Sequence, residues 1–264
     1  TRHYCESIYK VRPEVATGGA SPDFAWFSPA CQHFSSARGG KPVTNRARGL
    51  AWMVTAWAQR VRPRLIAVEN VVEWLTWGPL DENGRPRAKD AGRYFRAWCS
   101  KLRRLGYHVD WRNLRACDYG APTTRERLYV LASLDGAPRW PAPTHGEPGN
   151  LLGLAPYRAA AECIDWSIPC RSIFDREKSL VAATLRRIAR GVQRFVIDDP
   201  NPYIVDGDRA ATLAQVGYGE RPGQAPRVFD SAEPLSTVVA GGNKHELVVA
   251  FLARHFGGRG TPGS

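Results

Sequence analysis

The sequence predicts an α/β protein: a parallel sheet with covering helices through about its first 145 residues, then a smaller, loop-rich region. Three observations predict it. Short apolar runs of strand length alternate with stretches of helical periodicity. Residues able to do chemistry stand just past strand ends, where open α/β sheets bind ligands. Pro138, Pro141, Pro143 and Pro148 then fall close together and mark a change of character.

The elements follow in order. Asp23-Phe24-Ala25-Trp26-Phe27-Ser28, bounded by Pro22 and Pro29, is a short apolar run of strand length. A Gly- and Ser-containing loop runs from Pro29 to Pro42. Leu50, Met53, Val54, Trp57 and Val61 recur at helical spacing, and Pro63 ends that helix. Leu65-Ile66-Ala67-Val68 is a second buried strand, with Glu69-Asn70 at its end. Phe95, Trp98, Leu102 and Leu105 give an amphipathic helix closed by Gly106. Strands are expected over 107–114 and 128–132. Beyond residue 146 one basic helix stands out, from Val181 to Phe195. Its apolar stripe is Val181, Leu185, Ile188, Val192 and Phe195, with Arg186, Arg187, Arg190 and Arg194 off it. Those arginines form either a solvated face or a phosphate-contacting one.

Composition narrows the partners. With 264 residues and 43% hydrophobic content the chain can bury a core. A net charge of +12 and a pI of about 9.8 point to a polyanion, nucleic acid first. No apolar run approaches the ~18–20 residues of a membrane-spanning helix. The first 30 residues carry no signal-peptide pattern, which predicts a cytoplasmic, nucleoid-associated protein. Cys5, Cys31, Cys99, Cys117, Cys163 and Cys170 include no Cys-x-x-Cys pair, so a zinc ribbon is not expected and no metal is assigned. In a reducing compartment these thiols stay free. The chain begins at Thr1 and its single methionine is Met53, which suggests an internal piece of a longer protein.

Cys31 follows Ser28-Pro29-Ala30 in a loop that also carries Arg38 and Lys41. An isolated cysteine is more often packing than chemistry, but a reactive thiolate needs this kind of exposed, electropositive setting. Glu69-Asn70-Val71 ends a strand, where a carboxylate can equally cap a helix. Thr123-Thr124-Arg125-Glu126-Arg127 leads into another strand, which puts Arg125 and Arg127 on one face.

Taken in order, these three blocks resemble the DNA (cytosine-5)-methyltransferase family, in its phage- and plasmid-type members. They correspond to the family's Pro-Cys loop, its Glu-Asn-Val block and its Gln-x-Arg-x-Arg block. The resemblance covers residues 1–145, which it makes a partial catalytic domain. Residues 146–264 resemble a target-recognition region, carried by 215–221, 235–242 and 251–258. The implied fold is a Rossmann-like S-adenosylmethionine-dependent methyltransferase sheet, truncated at its N-terminus. Two departures stand out: Ala30 replaces a second proline before the cysteine, and Thr123 replaces the glutamine. The Gly-rich cofactor loop and the acidic residue for the ribose have no match in this sequence.

The resemblance implies roles. Cys31 is the nucleophile that adds to carbon 6 of a flipped cytosine, and Glu69 is the acid at ring nitrogen 3. Arg125 and Arg127 hold the base carbonyl and sugar-phosphate. Ser7 and Ile8 meet the adenine of S-adenosylmethionine, and Pro29 borders the methyl-donor pocket. The implied partner is double-stranded DNA, bound by a monomer, with a possible cognate restriction enzyme. Two alternatives stay open: a non-catalytic DNA-binding remnant of such an enzyme, and a tRNA cytosine-5 methyltransferase.

Overall fold

The computed structural model describes residues 3–30, 49–83, 87–169, 172–174, 176–216, 224–225, 227–238 and 245–251. The chain divides into two compact units. The first comprises residues 1–115 and 126–142, the second residues 116–125 and 143–264.

The first unit opens with a single helical turn, α1 (Pro13–Thr17), followed by strand β1 (Phe24–Phe27). Helix α2 (Leu50–Val61) leads to β2 (Leu65–Asn70). Helix α3 (Arg93–Arg104) then precedes β3 (His108–Arg115), and β4 (Glu126–Ser133) completes the sheet. The sheet order is β1-β2-β4-β3. Only β1 and β2 are parallel hydrogen-bonded neighbours; β4 runs antiparallel to both β2 and β3. Strands β1, β2 and β3 therefore share one direction, as strand-helix-strand crossovers require, and β4 inserts between β2 and β3 against them. The all-parallel expectation is corrected at this strand. Only residues 116–125 separate β3 from β4, and a parallel return needs a crossover of a dozen or more residues.

Alternation decides which face is dry. Ile66, Val68 and Asn70 of β2 lie opposite Ala132, Val130 and Leu128 of β4, and all six are buried. Helices α2 and α3 pack on this face through Ala51, Val54, Ala58, Phe95, Trp98 and Leu102. Trp74, fully buried in a short 3-10 turn over Val72–Thr76, sits 5.0 Å from Trp98 and 5.4 Å from Phe95, edge-on to both. The Trp98 indole N–H donates to the Ala51 carbonyl at 2.9 Å, tying α3 to α2. Helix α3 starts at Gly92, whose φ of 73° suits glycine; a Cβ there would lie 2.9 Å from the Leu75 carbonyl oxygen.

The second unit holds more regular structure than its loop-rich sequence suggests. Strand pairs β5 (His145–Gly146) and β6 (Ala155–Pro156) are short and parallel. Helix α4 (Ala182–Val192) continues into a wider π-helical turn over Gln193–Ile197. An antiparallel sheet forms around β8 (Arg209–Gln215), flanked by β10 (His245–Phe251) on one side. On the other lie β7 (Ile204–Asp206) and β9 (Val228–Asp230). Helix α4 packs on this sheet through Thr184, Arg187, Ile188 and Gly191, of which only Ile188 belongs to the apolar stripe its spacing predicts. Val181 and Leu185 are exposed and Arg187 is buried. The reason lies at Gly191: a Cβ would stand 3.1 Å from the Thr212 side chain of β8, so the helix seats its glycine face on the sheet.

Candidate active site

Strand directions bring three chain segments to one edge of the first unit's sheet. β1 and β2 run parallel, with Phe27 opposite Val68, so Ser28-Pro29-Ala30 emerge beside Glu69-Asn70. β4 runs the other way, with Leu128 opposite Asn70 and Tyr129 opposite Glu69, so its first residues arrive at the same edge. This is the carboxyl-end edge of β1 and β2, where α/β sheets bind ligands.

Glu69 and Arg127 meet there. Arg127 Nε lies 3.3 Å from Glu69 Oε1, and their side chains are only 17% and 22% exposed. Arg127 also donates from Nη1 to the Glu126 carbonyl at 2.7 Å, which fixes its guanidinium. A carboxylate gripped by a planar guanidinium has its orientation set. Sequence spacing does not reveal this pair, because the two residues are 58 positions apart and only the antiparallel insertion of β4 joins them.

Asn70 ends β2 beside Glu69. It is 1% exposed. Its Nδ2 donates to the Pro29 carbonyl at 3.1 Å, and its Oδ1 accepts the Val71 backbone N–H at 2.9 Å. One buried amide thus ties the end of β2 to the backbone two residues before Cys31. A buried amide with donor and acceptor both used is a polar contact worth conserving in any variant, since leaving either group unpaired is costly. The signal for it was available: Asn is rarely fully buried unless its hydrogen bonds are met.

Cys31 itself, and with it Arg38, Lys41 and Gly39-Gly40, lies outside the described residues. So do 217–221, 239–242 and 252–258 of the segments that resemble a target-recognition region. The residues leading to Cys31 line an apolar cleft of about 320 Å³ at the end of β1. Its walls are Ile8, Trp26, Phe27, Pro29, Leu50 and Val54, with Ser28 and Ala30. Two of the three residues predicted to meet a cofactor, Ile8 and Pro29, share this cleft; Ser7 precedes it, its carbonyl accepting the Lys10 N–H at 2.8 Å. Trp26, Leu50 and Val54 are lining residues that sequence reasoning missed, since each reads there as core or helix periodicity.

Arg125 belongs to the second unit. Its carbonyl accepts the Ala116 N–H at 2.9 Å, and its own N–H donates to Thr123 Oγ1 at 3.3 Å. The Thr123 hydroxyl therefore supports the backbone of this block at the position where the resemblance expects glutamine. Pro122 and Thr124 are stitched to Leu235 by two backbone bonds, Leu235 N–H to the Pro122 carbonyl at 3.0 Å and Thr124 N–H to the Leu235 carbonyl at 2.8 Å. Two sequence segments singled out separately, 119–127 and 235–242, are thus joined at Leu235. Among the described residues no three His, Cys, Asp or Glu side chains converge as a metal site, and no helix is long and apolar enough to cross a membrane.

Known proteins resemble parts of this chain in sequence. The type II methyltransferase M.Sau3AI of Staphylococcus aureus is 31% identical over 104 residues, covering 38% of this chain and 23% of the relative. The type II methyltransferase M.AplI of Arthrospira platensis is 28% identical over 214 residues, covering 70% of this chain and 56% of the relative. The chain thus spans between 23% and 56% of the length of these relatives. Among solved structures, the Entamoeba histolytica methyltransferase EhMeth matches with a TM-score of 0.39 at 16% identity, over 62% of this chain and 45% of that one. Residues 2–149, more than half of the chain and the stretch that builds the sheet edge just described, match the model of the C-5 cytosine-specific DNA methylases, and the chain belongs to that family.

Proposed function

We propose that this protein methylates carbon 5 of cytosine in double-stranded DNA, with Cys31 as nucleophile and Glu69, Arg125 and Arg127 around the target base. The observation that carries the reading is the meeting, at one sheet edge, of the Cys31 segment's root with the Glu69–Arg127 pair. The target atoms lie inside the base stack, so the cytosine must be turned out of the duplex.

The chemistry follows from the residues. The Cys31 thiolate forms a bond to carbon 6, and the ring's electron pair shifts to carbon 5, which becomes nucleophilic. Glu69 shares a proton with ring nitrogen 3 and offsets the charge developing on the ring. Arg127 orients Glu69, and Arg125 offers its planar fork to the base carbonyl or sugar-phosphate. After carbon 5 gains its methyl group, its proton leaves to a base, the carbon 6–sulfur bond breaks, and the thiolate departs.

S-adenosylmethionine supplies the electrophilic methyl group when bound. The cleft at the end of β1 fits one side of that molecule. Its apolar walls, Ile8, Trp26 and Pro29 among them, suit a flat adenine ring and a sulfonium-borne methyl, and Ser7 precedes Ile8 in the chain. The described lining carries no charged group for the methionine amine and carboxylate.

We further infer that residues 146–264 read the target sequence and that the protein acts as a monomer in the cytoplasm. The type II names of its relatives support a companion restriction enzyme. The test is covalent trapping. Full-length protein incubated with cofactor and duplex DNA containing 5-fluorocytosine is expected to give a denaturant-stable adduct mapping to Cys31. An adduct that persists undiminished in Cys31→Ser would overturn the assignment.

A further inference from the structure

We propose that the outer face of α4 is a phosphate-contacting ridge, with Arg186, Arg190 and Arg194 tracking the backbone of one DNA strand. The inference rests on the DNA reading above. It assigns a binding surface within the second unit.

The structure separates these three arginines from the fourth. Arg187 is 4% exposed and lies on the face seated against the sheet with Thr184, Ile188 and Gly191. Arg186, Arg190 and Arg194 are all exposed. Arg186 and Arg190 lie one turn apart on α4 and Arg194 follows four residues later in the π-helical turn that continues it, so the three line one exposed side. At a rise of about 1.5 Å per residue the row spans about 12 Å. That matches the axial length of three to four phosphates, at about 3.4 Å per charge on one strand.

Within the helical turns themselves the row has no acidic counterweight. No Asp or Glu occurs between Val181 and Ile197. The two carboxylates just beyond are engaged by their neighbours: Asp198 accepts from the Gln193 amide, and Asp199 accepts from the Asn201 backbone N–H. Arg194 rests its guanidinium 5.0 Å from the Phe195 ring, which holds the stem without neutralising the charge. Solvated helix faces usually interleave opposite charges at three- and four-residue spacing, which gains some stability. A row of three like charges at that spacing loses it instead. Such a row is explained by a polyanion laid along it.

The spacing favours phosphate over base edges. The row extends along the helix rather than clustering at its first turn, and Ala189 between its members leaves room for a backbone to approach. Binding of this kind sets register and orientation on the duplex without reading sequence.

The test is the salt dependence of binding by the full-length protein to a 30-base-pair duplex. The triple variant Arg186→Gln, Arg190→Gln, Arg194→Gln is expected to bind about 10- to 100-fold more weakly near 0.15 M salt. The slope of log Kd against log salt should flatten by about two to three units. At saturating DNA its kcat should stay within about twofold of the parent. The Arg→Lys triple should keep most of the slope, since counterion release counts charge. Single Gln variants, each flattening the slope by about one unit, serve if the triple variant does not fold. An unchanged Kd and slope in the Gln triple, with the parent binding and methylating DNA normally, would overturn the ridge and leave the enzyme reading standing. A parent that neither binds nor methylates duplex DNA would overturn both.

Discussion

Glu69 and Asn70 are adjacent in sequence and point to opposite faces of β2, and that alternation divides their work. Glu69 faces the less covered side of the sheet and pairs with Arg127; Asn70 faces the core and holds Pro29. Glu69→Gln keeps the shape and loses the acid. Its contribution belongs to the transition state, so kcat is expected to fall by about 100-fold or more while DNA affinity changes by less than about threefold. Single-turnover rates beside equilibrium binding check this, and equal losses in both would refute it. Asn70→Leu removes the partner of the Pro29 carbonyl and of the Val71 N–H. It is expected to cost about 1–3 kcal/mol in urea unfolding. It should also lower kcat more than affinity, by loosening the root of the Cys31 loop. The motif letters were legible in the sequence at both positions. The division of labour was not, because it depends on which side of the sheet the helices cover.

At the scale of elements, α3 and α4 behave oppositely toward their periodicity. Helix α3 buries Phe95, Trp98 and Leu102, the residues its spacing predicts, since large apolar side chains leave one face as the only dry one. Trp98→Ala would empty the contact with Trp74 and strip a donor from the Ala51 carbonyl. A loss of about 3–5 kcal/mol is expected, read as a lower urea midpoint of the unit. In α4 the predicted stripe keeps Ile188 but yields Val181 and Leu185 to a seat built on Gly191 and Thr184, because close approach to Thr212 rewards small residues over large ones. The strands of the second unit were missed for a related reason. β8 reads Arg-Ala-Ala-Thr-Leu-Ala-Gln, with five consecutive residues buried and no alternation to betray a strand. Its alanines favour helix when taken locally. Pairing on both edges overrides that preference.

Across the whole molecule, the buried core of the first unit carries a pH dependence. Burial pushes the Cys99 thiol up to about 12 and raises the Tyr107 phenol. In both cases the unfolded chain releases its proton first as pH rises. For Cys99 stability is therefore fully present below the unfolded thiol's range and is lost from about pH 9 toward 12, by up to ~1.4 kcal/mol per pH unit; Tyr107 acts in the same direction once pH passes the ordinary phenol range. Urea midpoints at pH 8 and pH 10.5 should show this fall, and Cys99→Ala should reduce it. An identical fall in the variant would assign the effect elsewhere. Cys99 should likewise resist alkylation at pH 8 while exposed Cys5 and Cys163 react.

The sequence by itself determined the α/β class, the places of α2, α3 and the strands of the first sheet, and the order of the three blocks that mark the family. Each of these is written locally, as a run, a period or a short motif. Only the tertiary structure decided that β4 inserts antiparallel between β2 and β3, and so that Arg127 meets Glu69, 58 positions away in the chain. It also decided which arginines of α4 face outward. Both outcomes depend on what packs against an element rather than on the element's own residues, and packing partners far apart in sequence leave no local period to read.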